Sequence, residues 1–276
     1  MTSVPVIELT NGVRMPQLGY GVFQIPDDET ATAVKAALEA GYRSIDTAAV
    51  YGNEKGVGQA IAESGIARDE LFVTTKLWNS AQGYDSTLKA FDESMTKLGL
   101  EQLDLYLIHW PTPRRDKSLD TWKAFEKLYA DGRVRAIGVS NFQPAHLERL
   151  LDVAEVAPSV NQVELHPYLQ QPELREFDAK HGIATEAWSP LAKGGSLLGD
   201  PAIADLAVKH SRTPAQIVLR WHLQLGNVVI PKSATPSRIE ENFDLFGFTL
   251  TEQEMESLTP LDRAERTGPD PDTFNA

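Results

Sequence analysis

The chain has 276 residues, 42% of them hydrophobic and 24% charged, which fits one large folded domain or two smaller ones and excludes a disordered chain. A formal net charge of -13 and a pI near 4.9 disfavour non-specific binding to nucleic acid or acidic membranes. The absence of cysteine excludes disulfides, thiolate metal sites and thiol nucleophiles.

In chain order, Val4 to Met15 reads as a β-hairpin, because Asn11-Gly12 sits between β-formers; such a hairpin could plug the bottom of a barrel. The opening Met1-Thr2-Ser3-Val4-Pro5 lacks a basic segment followed by an apolar run, so no signal peptide is expected. Leu18 to Phe23 forms a short strand. Asp27 and Asp28 cap a helix to Ala40, whose apolar face carries Ala31, Val34, Ala37 and Leu38 and which Gly41 ends. The strand at Ser44 follows. A helix over about Glu54–Glu63, a strand over Leu71–Lys76 and a helix over about Ser86–Leu98 come next. Then come a strand over Leu103–His109, a helix over about Leu119–Ala130, a strand over Val134–Val139 and a helix over Pro144–Leu151. A strand over Val160–Glu164, a helix over Glu173–Lys180 and a strand over Ile183–Trp188 continue the alternation. Two helices, about Ala202–His210 and Pro214–Gln224, carry Pro in the first turn, where a missing N–H costs nothing. Val228–Pro231 is the last strand. Helices over about Ser237–Leu245 and Glu252–Leu258 and a polar tail from Arg263 to Ala276 close the chain. Eight strands alternating with helices at this length predict an α/β fold, a closed (β/α)8 TIM barrel spanning residues 1–276 as a single domain, with extra helices before strand 8 and at the C-terminus.

Three successive strand ends carry chemistry. Asp46 and Tyr51 follow one strand, Lys76 ends the next, and His109 ends the one after. In a parallel βα barrel, catalytic groups gather at the strand ends of one face. A free phenol titrates near 10, so something must polarise Tyr51 before it can act as an acid. Lys76 would favour its phenolate and lower its pKa, and Asp46 would hold Lys76 by a charged hydrogen bond. Taken singly, each of these residues is more often packing or solvated surface; their spacing together is what points to a site.

Longer motifs carry a resemblance. Gly41-Tyr42-Arg43-Ser44-Ile45-Asp46-Thr47-Ala48 with Tyr51-Gly52-Asn53-Glu54, then Leu107-Ile108-His109-Trp110-Pro111, Ile137-Gly138-Val139-Ser140-Asn141-Phe142 and Asn161-Gln162-Val163-Glu164-Leu165-His166-Pro167 resemble the aldo-keto reductase signature. Ile230-Pro231-Lys232-Ser233 with Arg238, Glu241 and Asn242 resembles that family's adenosine-phosphate site. The likeness runs from about Leu9 to Leu261 and is nearest to the bacterial 2,5-diketo-D-gluconate reductase group. It implies reduction of aldehydes or ketones by NADPH, with Tyr51 as acid, Lys76 and Asp46 behind it, and His109 orienting the substrate oxygen.

By the same resemblance Ser140, Asn141 and Gln162 would hold the nicotinamide amide and Trp188 would stack on its ring, a position where many relatives carry Tyr. Gly21 and Phe23 would flank the cofactor, Ser189 and Leu191 would offer groups to the pyrophosphate, Lys232, Ser233 and Arg238 would take the 2′-phosphate, and Glu241 and Asn242 the adenine side. Gly19-Tyr20-Gly21-Val22-Phe23-Gln24 lacks the third glycine and βαβ context of a Rossmann fingerprint. Phe23, Trp78, His109 and Trp110, with Trp188, would line the substrate mouth. Asn79 would add a polar contact, and the Lys193-Gly194-Gly195-Ser196 loop or the tail could gate it. Trp122 and Trp221 read as packing. The histidines lack metal-ligand spacing, so no metal is expected. A cytoplasmic, monomeric protein acting on a small carbonyl compound, with no nucleic-acid or membrane partner, completes the expectation. Two alternatives stand: a class I aldolase forming a Schiff base at Lys76, and an NADPH-sensing module with slow turnover.

Overall fold

The computed structural model describes residues 4–276; residues 1–3, part of the segment in which no signal peptide is read, lie outside the described residues. Strands β1 (Val6–Glu8) and β2 (Arg14–Pro16) pair antiparallel with Ile7 opposite Met15. Their turn differs from the two-residue Asn-Gly form. The Gly12 N–H donates to the Leu9 carbonyl at 2.8 Å, and Gly12 alone in this turn takes a left-handed φ, +80°. Asn11 instead ties the hairpin to the barrel, its Nδ2 donating to the Arg135 carbonyl at 2.9 Å.

Eight parallel strands follow: β3 (Tyr20–Gly21), β4 (Ser44–Asp46), β5 (Phe72–Leu77), β6 (Leu103–Ile108), β7 (Val134–Ser140), β8 (Val160–Glu164), β9 (Ala184–Trp188) and β10 (Val228–Val229). They lie side by side in chain order, as right-handed crossovers demand. Leu18 bridges to Val229 and the Gly19 N–H donates to the Val229 carbonyl at 2.8 Å, which joins the last strand to the first and closes the barrel. The two seam strands are shorter than their apolar runs predict. Space is tight at the first of them: a Cβ on Gly19 would sit 2.9 Å from the Ser44 hydroxyl on β4, and one on Gly21 3.0 Å from the Ile230 carbonyl oxygen. A larger residue at either position would need its neighbour to shift.

The helices are α1 (Asp27–Ala40), α2 (Glu54–Glu63), α3 (Tyr84–Leu98), α4 (Ser118–Ala130), α5 (Pro144–Leu151), α6 (Pro172–Lys180), α7 (Pro201–His210), α8 (Pro214–Gln224), α9 (Pro236–Phe243) and α10 (Glu252–Ser257). Asp27 does not cap its own helix. Its Oδ1 accepts from the Gly56 N–H at 2.9 Å, in the first turn of α2, where Asn53 makes no side-chain cap. The main core lies between strands and helices and includes Trp122 and Trp221. A second apolar cluster joins Leu9 and Met15 of the hairpin to Phe72, Leu105, Leu107, Ala136, Val160 and Val228, so the hairpin seals the N-terminal end of the barrel. The opposite, C-terminal ends of the strands are left to hold a site.

Candidate active site at the barrel mouth

Asp46 ends β4 and Lys76 lies near the end of β5, its parallel neighbour. Lys76 is fully buried, and its Nζ donates to Asp46 Oδ1 at 2.6 Å and to the Thr47 carbonyl at 2.9 Å. A buried ammonium needs such partners, since an unpaired charge there is costly. The loop that carries Tyr51 is anchored beside the pair. Thr47 Oγ1 donates to Asn53 Oδ1 at 2.8 Å, and Asn53 Nδ2 donates to the carbonyls of Val22 and Ile25, each at 2.9 Å. Tyr51 itself sits on one 3-10 turn, Ala49–Tyr51, closed by Gly52 at φ +70°. The Lys76 ammonium lies 5.1 Å from the centroid of its ring.

Burial dominates the protonation of this cluster. It pushes the Tyr51 pKa up, Lys76 pulls it down, and Asp46 adds to the rise; the net shift is upward. The lowering expected from Lys76 is therefore present but outweighed, because burial of the phenolate cannot be read from a sequence. For Lys76, burial works downward but Asp46 and Tyr51 reverse it, so the amine stays charged. Burial, and then the Lys76 charge, hold His109 well below its ordinary range. A neutral imidazole keeps one N–H, and its Nδ1 is buried without a partner.

Aromatic rings frame these groups. Tyr51 packs against Phe23 at 5.0 Å and against His109 at 5.8 Å; Trp78 meets His109 at 5.3 Å, and Trp110 meets Trp188 at 6.5 Å, between ring centroids. Phe23, 48% exposed, marks the outer rim. The tail folds over the mouth. Phe274 lies 4.5 Å from Trp110, Asn79 Nδ2 donates to the Ala276 carbonyl at 2.8 Å, and Lys193 Nζ donates to the Thr267 carbonyl at 2.7 Å. The Lys193 loop and the tail, read separately from the sequence, thus touch each other.

The residues assigned to the cofactor fall into two groups. Ser140 ends β7 and Asn141 follows it, and Gln162 lies opposite Ser140 on β8. Asn141, held at φ +65°, donates to the His109 carbonyl at 2.9 Å and to Ser140 Oγ at 3.1 Å, and its Oδ1 accepts from Trp188 Nε1 at 2.8 Å. It therefore fixes the plane of the Trp188 ring. Ser140 Oγ donates to the Gln162 carbonyl at 2.8 Å. Ser189, at φ +47°, and Leu191 carry the chain on across the mouth from Trp188. The second group follows β10. Lys232 and Arg238 are exposed and form no salt bridge among the described residues. Two unpaired cations in an acidic protein, at the start of α9, suit a phosphate. Ser233 Oγ accepts from the Thr235 N–H at 3.1 Å, and Asn242 is buried on α9. Glu241 is committed elsewhere, its Oε1 accepting from Thr213 Oγ1 at 2.8 Å. The donor set of the two groups fits a dinucleotide phosphate: an amide-rich patch beside an aromatic face at one end, free cations at the other.

The pattern that defines the Aldo/keto reductase family matches residues 9–263. The chain belongs to the aldo/keto reductase family. This aldo/keto reductase is 55% identical over 267 residues to the glyoxal reductase of Bacillus subtilis (strain 168), covering 96% of each chain. It is 51% identical over 275 residues to the methylglyoxal reductase DkgA of Escherichia coli (strain K12), covering 99% of each. A crystal structure of a Gox0644 variant in complex with NADPH superposes with a TM-score of 0.95 at 52% identity and 99% coverage of both chains.

Among the described residues of this aldo/keto reductase no group of three or more His, Cys, Asp or Glu gathers as metal ligands, and no helix is long and apolar enough to cross a membrane. Residues to which the sequence reading gave no role also reach the mouth. Glu164 accepts from the N–H and hydroxyl of Thr267, both at 2.6 Å, and from the Gly268 N–H at 3.1 Å, and so pins the tail. Glu186 lies deep in the barrel, bound to Gln162. Its signal was a lone acid in the otherwise neutral strand Ala184-Thr185-Glu186-Ala187-Trp188; alternation turns it to the same face as Trp188.

Proposed function

We propose that the protein reduces small aldehydes and ketones, dicarbonyls such as methylglyoxal or diketo sugars among them, to alcohols with NADPH, and that Tyr51 supplies the proton. Bound NADPH provides the hydride that adds to the carbonyl carbon. The observation that carries the reading is a phenol kept neutral by burial, set beside an ammonium that Asp46 fixes in place. Negative charge builds on the substrate oxygen as the hydride arrives, and a fixed donor aimed at that oxygen lowers the barrier; removing one such donor costs on the order of 10²–10³ in rate. Tyr51 donates its O–H proton there. The Lys76 charge then stabilises the phenolate left behind, each pKa unit being worth about 1.4 kcal/mol. His109, neutral, offers one N–H to the same oxygen and orients it against Trp78 and Trp110. The tail and the aromatic wall keep water from the reacting atoms.

The names of the relatives support the dicarbonyl class, and the free cations Lys232 and Arg238 support NADPH over NADH. The aldolase alternative loses ground, since a Schiff-base lysine needs a lowered pKa and Lys76 is shifted upward with Asp46 and Thr47 on its nitrogen. Steady-state oxidation of NADPH with methylglyoxal, glyoxal and a diketone tests the reading. Turnover with at least one of them is expected. NADPH binding without turnover on any of them would favour the sensing role, and trapping of a substrate on Lys76 by borohydride would favour the aldolase.

A further inference from the structure

Glu186 occupies the middle of β9, in register with Gln162 of β8, and is 1% exposed. Gln162 Nε2 donates to Glu186 Oε2 and to Asp46 Oδ2, each at 2.8 Å. A primary amide nitrogen carries two hydrogens, so both are engaged. The other Asp46 oxygen holds Lys76. One buried chain thus runs Glu186, Gln162, Asp46, Lys76 to the ring of Tyr51. The Gln162 side-chain oxygen, Oε1, accepts no hydrogen bond among the described residues, yet it is not one of the buried atoms left without a partner, whereas Glu186 Oε1 is. The Gln162 oxygen therefore keeps some exposure, while both hydrogens of the nitrogen beside it are engaged.

The sense of an amide is read from its partners. Turned over, Gln162 would aim its oxygen at the ion-paired Asp46 and lose that hydrogen bond, and toward Glu186 it would keep one only by accepting from a protonated carboxyl. Burial, and then Asp46, push the Glu186 pKa up to about 8, and in either protonation state the carboxyl presents a lone pair to the amide.

We propose that Glu186 is a positioning residue for the cofactor: with Asp46 it holds the Gln162 amide so that its oxygen, not its nitrogen, meets the N–H of the nicotinamide carboxamide, and so sets which way round the nicotinamide binds. The inference rests on the reading of the mouth as an NADPH site. It concerns one end of the cofactor only, the end away from Lys232 and Arg238.

Equilibrium binding tests it, with NADPH, its 3-acetylpyridine analogue (whose acetyl group has no N–H) and 2′-phospho-ADP-ribose (which has no nicotinamide) titrated into the wild type, Glu186→Leu and Glu186→Gln. Loss of one oriented hydrogen bond is worth about tenfold in Kd. Glu186→Leu is expected to weaken NADPH by about that factor and to leave 2′-phospho-ADP-ribose unchanged. Glu186→Gln, which keeps an oxygen acceptor for Gln162, is expected to retain NADPH affinity. The wild type is expected to bind the acetylpyridine analogue about tenfold more weakly than NADPH, an arm that needs no variant to fold. Equal wild-type affinity for NADPH and the analogue, or equal losses of NADPH and 2′-phospho-ADP-ribose in Glu186→Leu, would overturn the proposal. A wild type that binds none of the three ligands would take down the cofactor reading itself, and the proposal with it.

Discussion

Replacing Lys76 by Met removes one member of a fully buried ion pair. Lys76 is 0% exposed and Asp46 3%, so water cannot replace the ammonium at 2.6 Å from Asp46 Oδ1. A carboxylate left unpaired in such a place costs about 3–5 kcal/mol. In a domain of this size each kcal/mol moves Tm by roughly 2–4 °C, so Lys76→Met is expected to melt roughly 6–20 °C below the wild type. Adding Asp46→Asn removes the stranded charge, and neutral replacement of a buried pair is often close to neutral in stability. The double variant should therefore melt above Lys76→Met while turnover stays lost, because Tyr51 no longer has a cation beside it. Thermal unfolding by circular dichroism, run beside NADPH oxidation on the same three proteins, reads both. A double variant that melts no higher than Lys76→Met, or one that regains wild-type turnover, would refute the reasoning.

Lys232→Gly with Arg238→Ala is expected to erode the preference for NADPH over NADH by weakening NADPH alone, measured as the ratio of the two Kd values; comparable affinities in the wild type would remove the basis for assigning the 2′-phosphate to these cations. Asp178, buried under β8 and β9, has its pKa raised by burial from 3.8 to about 7. Between those values the folded chain holds a proton that the unfolded chain has released, so stability falls as pH rises, by about 1.4 kcal/mol per unit and at most about 4 kcal/mol across the window. Asp178→Asn is expected to abolish that slope, seen as a smaller difference in Tm between about pH 5 and about pH 8; an unchanged difference would place the slope elsewhere. Gly268→Ala puts a Cβ 2.4 Å from Trp188 Cη2 and 3.2 Å from Glu164 Oε2. Because Asn141 fixes the Trp188 ring, the tail is expected to move instead, and faster limited proteolysis of the tail is the readout; wild-type proteolysis would show that the ring yields.

Much of the barrel was legible because its signals are local. Apolar runs broken by glycine and by helix-starting prolines mark strands and helices, and the strand ends bearing Asp46, Lys76 and His109 fall on one face once the alternation is recognised. The seam was harder to read. β3 and β10 are two residues each, and their fit depends on Ser44 and Ile230, which meet Gly19 and Gly21. The Asn11-Gly12 turn was read for its existence but not its type, since Asn11 serves the Arg135 carbonyl. The largest gaps in the site were long-range: the Glu164 contact to Gly268 spans 104 positions, and Gln162 to Asp46 spans 116. Nor could sequence weigh burial against charge at Tyr51, which takes coordinates for both.

The account stands on Tyr51 as the proton donor. Its most direct test is Tyr51→Phe, with NADPH affinity measured by fluorescence and turnover of a good carbonyl substrate measured on the same preparation. Unchanged NADPH affinity with a fall in kcat on the order of 10²–10³ or more is the predicted result. Turnover near the wild-type rate would contradict it.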